Sequence, residues 1–298
     1  MELKILNDPH LDEHLEQEGY VVVPFLDNEE INTLVTLYQQ KNTATKEGLY
    51  ATAHSADYDY KKQLNDEILR QFTPAINRIF HECTPLGGSY IVKYGGDKGV
   101  LFPHQDWNIV DEDRYRSFNI WVPLVDTTEN NGAITVLPHS HKLVKSFRGV
   151  NIPDPFYQVN SYTWKYDKTL NMKAGEALIY DHRLLHASSI NKTDEPRLAV
   201  VFGIIPSKAE MRLYYMENGV VSEYASNVAF FFKNNILNGP VGLQKLREID
   251  YKVEPLDEAT FDELYLGKKR DSVIATTPAP IIVTEKSLFK KLLAAIGI

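Results

Sequence analysis

Between residues 88 and 205 the apolar positions recur at every second residue, in short runs separated by turn-forming residues. That is the period of a strand with one buried face. It predicts strands at Ser89 to Tyr94, Leu101 to Val110, Ser117 to Val125, Ala133 to Leu137, Ala177 to Tyr180, Leu184 to Ile190 and Arg197 to Ile205. Almost no helical pattern separates them, so an antiparallel sandwich or barrel is expected rather than a βαβ sheet. The first 85 residues read mainly as helix. Asp27 caps a helix whose Glu30 completes a capping box and whose Ile31, Leu34, Val35 and Leu37 make an apolar stripe. A short buried strand, Gly19 to Pro24, precedes it. A second helical pattern runs through Leu64, Ile68, Leu69, Phe72, Ile76, Ile79 and Phe80, where Pro74 is expected to kink or divide it.

Beyond the strand run, residues 211–222 predict a hairpin turning at Glu217-Asn218-Gly219. Short helices are expected around 226–236 and 257–266, then a Thr/Pro linker and an amphipathic terminal helix carrying Leu288, Phe289, Leu292, Leu293 and Ile296. Residues 139–171 form a long aromatic insertion, and insertions of that length are usually functional. With the loop around Asp57 and Asp59 and the segment from Tyr214 to Phe232, it is expected to form a pocket mouth. The division expected is one domain over 1–240, with a β core at about 88–222 and helical support over 1–87, then a C-terminal helical extension and tail over 241–298. A homodimer through that C-terminal region is an added expectation.

Composition narrows the function. The chain has 298 residues, 43% hydrophobic and 24% charged, which suits a packed globular protein. A net charge of −8 offers no overall field to attract nucleic acid or an anionic membrane, so neither partner is expected. The N-terminus lacks a secretion signal and no run approaches the roughly 20 apolar residues of a membrane span, so the expected location is cytoplasmic. Cys83 is the only cysteine, which excludes an internal disulfide, a Cys-rich zinc site and an iron–sulfur cluster held by this chain alone. A metal would have to use His and carboxylate.

His104 and Asp106 stand two residues apart in Phe102-Pro103-His104-Gln105-Asp106-Trp107, and on a strand both side chains would share a face. Alone, such a pair is a weak signal. His10, His14, His54 and His81 fall in loops or on helix surfaces, and His139 and His141 flank Ser140 at a strand end, where a turn role is expected. His186 is the better third ligand than His182. If Asn191-Lys192-Thr193-Asp194 is a four-residue turn, antiparallel pairing sets Ser188 opposite Arg197, beside His186. A hydroxyl and a guanidinium would then lie one step from the metal, suited to gripping a carboxylate. Two His and one carboxylate are the facial triad of non-haem Fe(II) oxygenases, with positions left open.

These ordered motifs resemble the phytanoyl-CoA dioxygenase family of Fe(II)- and 2-oxoglutarate-dependent oxygenases, from about Gly19 to Ile205. The matching residues are His104-Gln105-Asp106, Trp121, the segment Asn130-Asn131-Gly132 through Pro138-His139-Ser140-His141, and Gly175, His186, Ser188, Asn191 and Arg197 in order. One departure is His139, at a position usually held by Gly. The resemblance implies a mainly β fold with flanking helices and a double-stranded β-helix (jelly roll, cupin-like) core. It implies that His104, Asp106 and His186 bind iron, that Arg197 and Ser188 hold the far carboxylate of 2-oxoglutarate, and that Trp121 lies beside this cosubstrate. Lys93 is a further candidate for 2-oxoglutarate, and Tyr94, Gln105, Trp107, Asn119 and His182 are candidates for substrate contact or ligand support. The implied cofactors are Fe(II), 2-oxoglutarate and O2.

The implied reaction is hydroxylation of an unactivated C–H bond in a small organic metabolite, an amino acid, amine or natural-product intermediate, with release of succinate and CO2. The same chemistry on a carrier-tethered or acyl substrate is the alternative, and a zinc hydrolase or a non-catalytic ligand-binding jelly roll is more distant. A CoA thioester is not favoured, because no basic cluster stands ready for its phosphates.

Overall fold

The computed structural model describes residues 4–42, 47–234 and 236–267. In chain order the elements are α1 (Pro9–Glu18), β1 (Tyr20–Pro24), α2 (Asn28–Lys41), β2 (Leu49–Ala51), α3 (Tyr58–Ile79), β3 (Cys83–Lys93), β4 (Leu101–His104), β5 (Phe118–Pro123) and β6 (Ile134–Val136). There follow α4 (Asn160–Thr163), β7 (Lys168–Thr169), β8 (Glu176–Asp181), β9 (His186–Ser188), β10 (Arg197–Pro206), β11 (Arg212–Glu217), β12 (Val220–Ala225), α5 (Val228–Lys233), β13 (Gln244–Ile249) and α6 (Glu258–Leu266). The expected terminal helix around Leu288 lies outside the described residues.

Two antiparallel sheets make the jelly-roll core. The larger runs β1-β8-β5-β10-β3-β2 and the smaller β4-β9-β6-β7. Alternation along the large sheet decides what each face meets. Tyr90, Val92, Ile120, Val122, Ile179, Leu198, Val200 and Phe202 turn outward and pack with Leu15, Leu34, Ile68, Phe72 and Ile76 of the three N-terminal helices. Trp121, Leu178, Tyr180 and Ala199 turn inward and meet Ile134 and Val136 of the small sheet. Both faces are therefore covered, which explains the length of the apolar runs. The capping box at the start of α2 is present, with Asp27 accepting from the Glu29 and Glu30 amides and Glu30 accepting from the Asp27 amide.

Four expectations are corrected. β9 and β10 do not pair as a hairpin: β9 joins the small sheet and Arg197 of β10 stands opposite Lys93 in the large one. The fully buried Asn191 directs this crossing, because its amide donates to the carbonyls of Lys93 (3.0 Å) and Glu195 (2.7 Å) while its oxygen accepts from Thr193. α3 continues unbroken for 22 residues through Pro74, with Ala75 and Ile76 still locked into the core. The long strand expected from Leu101 ends at His104, since the Asp106 amide turns to the His182 carbonyl (2.8 Å). Within the expected helical extension from 241, Gln244–Ile249 is a strand, paired with β12 across the expected division at 240.

α1 is fastened to the sheet by charge. Asp181, fully buried, accepts from Arg116 Nε (2.7 Å), from Arg183 Nε (2.9 Å) and Nη2 (2.8 Å), and from the Arg183 amide, while Arg116 also reaches Glu16 of α1. Burial opposes ionisation of Asp181, but the two guanidiniums overcome it and hold the carboxyl far below its usual range. A lowered native pKa gives stability that is complete above the unfolded value near pH 4 and is lost only as pH falls towards the native value. Asp181→Asn should therefore destabilise the fold by about 3–5 kcal/mol at pH 7, since two partly buried cations lose their partner, with the deficit shrinking in strong acid. Urea unfolding at several pH values reads this, and an undiminished midpoint at pH 7 would contradict it.

Candidate metal centre and anion pocket

A β-bulge sets the geometry of the centre. β4 pairs β9 with Leu101 opposite Ser188 and His104 opposite His186, three steps against two. Without the extra residue His104 would face Leu185 and turn away from the interior. With it, the two imidazole rings lie 4.3 Å apart. Each Nδ1 is tied to a carbonyl two residues back, His104 to Phe102 (2.8 Å) and His186 to Leu184 (3.0 Å). These bonds suit Nδ1–H donors, which leaves both Nε2 atoms as acceptors. Each Nε2 lies 3.9 Å from a different Asp106 oxygen.

The charges make that arrangement costly without a cation. Burial pushes His104 down to about 4, with His186 adding to the effect, so at neutral pH its lone pair faces a carboxylate. Burial also disfavours the Asp106 anion, yet the imidazoles around it and the Asn119 amide hold its carboxyl below the usual range. Asn119 donates to Asp106 Oδ2 at 2.8 Å, and Tyr180 fits in behind, its hydroxyl 3.4 Å from the same amide and its ring 4.7 Å from that of His186. One atom each from His104, Asp106 and His186 lie within 4.8 Å of one another. Three converging acceptors with a fixed tautomer fit a divalent metal with open positions.

Farther in, the inner face carries two basic side chains. Lys93 and Arg197 are register partners, 0% and 2% exposed. Lys93 Nζ donates to the Ser188 hydroxyl (2.6 Å) and carbonyl (3.1 Å) and to the Ser189 carbonyl. Arg197 Nη1 donates to the Gly132 carbonyl (2.5 Å), its guanidinium carbon lies 5.2 Å from the Trp121 ring centre, and its buried Nε has no partner among the described residues. Burial, then the charge of Arg197, pulls Lys93 down to about 6, and burial alone lowers Arg197 to about 10, still charged at neutral pH. No described carboxylate pairs with either one. Gly132 makes the room: at φ 75° a Cβ there would meet Lys93 Cδ at 2.7 Å and the Ser189 carbonyl at 2.8 Å.

The remaining candidates separate by direction. Tyr94 follows Lys93 and so faces outward, its hydroxyl 2.9 Å from that of Tyr38 among the helices. Gln105 likewise turns away and bonds the Arg183 carbonyl. Trp107 and His182 meet through the Trp107 carbonyl and His182 Nδ1 (3.3 Å), and His182 supports Asp106 through its own carbonyl. His139 has φ 64°, the left-handed backbone for which Gly is usual, and His141 bonds the Glu16 carbonyl, so both serve the turn. Asp57 caps α3. Three residues escape the sequence reading: Tyr180, Arg148 and Asp154. Tyr180 alone had a signal, an inward position on a strand beside Trp121. Asp154 comes from the insertion. Burial raises its carboxyl, with the Phe156 amide (2.9 Å), His104 and Arg148 only partly offsetting this. The centre is open on the side of His104 and Asp106, each a quarter exposed, where Phe102 meets Trp164 edge-on at 5.7 Å.

A family model described as phytanoyl-CoA dioxygenase (PhyH) matches residues 15–199. The phytanoyl-CoA dioxygenase of Arabidopsis thaliana is 32% identical over 126 residues, covering 40% of this chain and 43% of that protein. Phytanoyl-CoA dioxygenase domain-containing protein 1 of Danio rerio is 28% identical over 131 residues, 41% of this chain and 45% of the relative. The matched stretch thus spans less than half the length of these curated relatives. Among solved structures, the non-heme alpha ketoglutarate dependent carbocyclase SnoK from nogalamycin biosynthesis superposes with a TM-score of 0.53 at 16% identity, covering 69% of this chain and 87% of that one. The epimerase SnoN in complex with Fe3+, alpha ketoglutarate and nogalamycin RO gives 0.52 at 21%, covering 84% and 97%. At such identities the likeness is one of fold.

A divalent metal should raise the melting temperature of the protein. His104→Ala and His186→Ala should lose that rise, whereas His139→Ala should keep it. A full metal-induced rise in His104→Ala, followed by thermal scanning, would contradict the ligand set.

Proposed function

The chain belongs to the phytanoyl-CoA dioxygenase (PhyH) family, and on that premise we propose that it is an Fe(II)- and 2-oxoglutarate-dependent dioxygenase that oxidises a C–H bond of a small organic molecule. The observation that carries the reading is the pairing of two sets of groups in one interior: three converging acceptors at His104, Asp106 and His186, and two buried basic side chains, Lys93 and Arg197, that no described carboxylate pairs. A metal chelated by a dicarboxylate would answer both. A zinc hydrolase would answer only the first.

His104, Asp106 and His186 would hold the iron, and Arg197 with Lys93 and Ser188 would hold the far carboxylate of 2-oxoglutarate. When bound, the iron supplies activation of O2, which couples conversion of 2-oxoglutarate to succinate and CO2 with hydroxylation of the substrate. The chain's own residues do the rest. Arg197, resting on Trp121, presents a fixed charge that sets the length and direction of the cosubstrate. Asn119 holds one oxygen of Asp106 so that the carboxylate keeps its orientation. Trp121, Leu178, Tyr180, Leu184 and Ala199 close the interior against water, leaving access past His104. At that access Phe102 and Trp164 offer an apolar surface and Asp154 a carboxyl, which supports an organic substrate bearing an amine or hydroxyl group.

Two outcomes test this. Anaerobic addition of Fe(II) and 2-oxoglutarate should give a weak visible charge-transfer band, and a metabolite screen in air should find succinate release; His104→Ala and Arg197→Ala should lose both. No band in the parent protein, or one unchanged in those variants, would contradict the assignment. The second outcome concerns protons. Lys93 is neutral above about pH 6 when free, and a carboxylate beside it favours the ammonium. Cosubstrate binding above about pH 6 should therefore take up protons, and its affinity should weaken as pH rises above that value. Calorimetry in buffers of different ionisation enthalpy measures the uptake, which Lys93→Met should abolish; uptake unchanged in that variant would contradict the role.

A further inference from the structure

Asp106 is held at its carboxylate by Asn119, but also at its main chain by the insertion. Arg148 Nε donates to the Asp106 carbonyl at 2.6 Å. The same guanidinium pairs with both oxygens of Glu112, at 3.1 and 2.5 Å, and donates to the Ser146 carbonyl at 3.1 Å. The Arg148 side chain is buried, 5% exposed, and that of Glu112 is largely covered, 11% exposed. The two main chains are bonded as well: the Asn108 amide donates to the Arg148 carbonyl (3.2 Å) and the Arg148 amide to the Asn108 side chain.

This segment is itself anchored. A Cβ on Gly149 would meet the Tyr214 carbonyl at 2.3 Å, so the chain there lies flat on β11. Asn151 completes the docking, its amide donating to the Met216 carbonyl (2.7 Å) and its oxygen accepting from the Met216 amide (2.9 Å). β11 also grips the stretch after the ligand, through Arg212 N to the Ile109 carbonyl (2.9 Å) and the Tyr214 hydroxyl to the Val110 carbonyl (3.4 Å). Asp106 follows the end of β4; its amide is held by the His182 carbonyl (2.8 Å), and its own carbonyl is held by Arg148 rather than by a neighbouring strand.

We propose that Arg148 and Glu112 form a strut that positions Asp106 through its main-chain carbonyl and thereby sets the metal affinity of the centre. The proposal rests on the reading of His104, Asp106 and His186 as metal ligands. Arg148 is a positioning residue: it reaches the peptide of the ligand, and Glu112 fixes the guanidinium in the one rotation that does so. Loss of the strut lets the Asp106 peptide turn, which moves its carboxylate away from the two imidazoles. Supporting contacts of this kind are worth about 10–100-fold in metal affinity.

The test is anaerobic Fe(II) titration of the full chain, read by tryptophan fluorescence, with thermal melting beside it. Arg148→Gln should weaken Fe(II) binding by about 10–100-fold, while 2-oxoglutarate affinity at saturating metal stays within about twofold, because Lys93 and Arg197 are untouched. Glu112→Gln should shift Fe(II) affinity in the same direction, and the double variant should be no weaker than Arg148→Gln, as for two residues acting as one unit. Arg247→Gln, which also breaks an ion pair to a buried glutamate, Glu223, should leave Fe(II) affinity unchanged. A folded Arg148→Gln protein with parental Fe(II) affinity overturns the strut. If Arg148→Gln does not fold, Glu112→Gln decides, and parental affinity there overturns it. A parent protein that binds no Fe(II) overturns the metal reading itself, and the strut with it.

Discussion

Three steps along β4 stand against two along β9, and this mismatch puts His104 opposite His186. The rest of the interior is built around the consequence. Two imidazoles whose Nδ1 atoms are bound to backbone carbonyls can turn only their Nε2 atoms inward, and Asp106 answers each with one oxygen. A bulge disrupts a ladder locally, so β4 is short and the chain beyond it needs other support. Asn119, His182 and Arg148 provide it, each from a different segment.

The two ends of the interior differ in chemistry: acceptors at one, basic side chains at the other. Near the mouth, three acceptors converge; deeper in, Lys93 and Arg197 are buried beside one another with no described carboxylate paired to either. A buried guanidinium such as Arg197, with a buried lysine beside it, suits a ligand that brings negative charge. The spacing between the two ends is set by the pairing of β3 with β10 and of β9 with β4 and β6, that is, by both sheets at once. The placement of Lys93 and Arg197 relative to the three acceptors thus depends on how the sheets face each other, while the insertion and β11 hold the chain around Asp106.

Much of this was legible because strands have a period of two. Alternation located the core strands, but it does not account for His104 and Asp106, which a bulge and the turn of the chain after β4 bring together. The same alternation separates Lys93 from Tyr94, which cannot both face inward, although nothing in the sequence alone says which one does. The hairpin expectation fails on its pairing: Ser188 and Arg197 stand on different sheets, and the residue between them is Lys93, which bonds the Ser188 hydroxyl and is the register partner of Arg197. Local pairing is the natural inference from a short connection, and the side chain of Asn191 overrides it by bonding to Lys93 and Glu195. Arg148 and Asp154 lay beyond sequence reasoning because their partners are tens of residues away and no periodicity links them. The strand at Gln244–Ile249 was hidden for another reason: it is almost wholly exposed, so it carries no apolar alternation.

If the two ends are halves of one site, their ligands must assist each other. The most direct test is the affinity of 2-oxoglutarate measured by anaerobic calorimetry with and without saturating Fe(II). The account predicts binding at least about tenfold tighter with the metal, within the usual range of coupling between linked sites, and loss of 2-oxoglutarate binding in Arg197→Ala while Fe(II) still binds. Equal affinity with and without Fe(II), or full 2-oxoglutarate binding in Arg197→Ala, would contradict it.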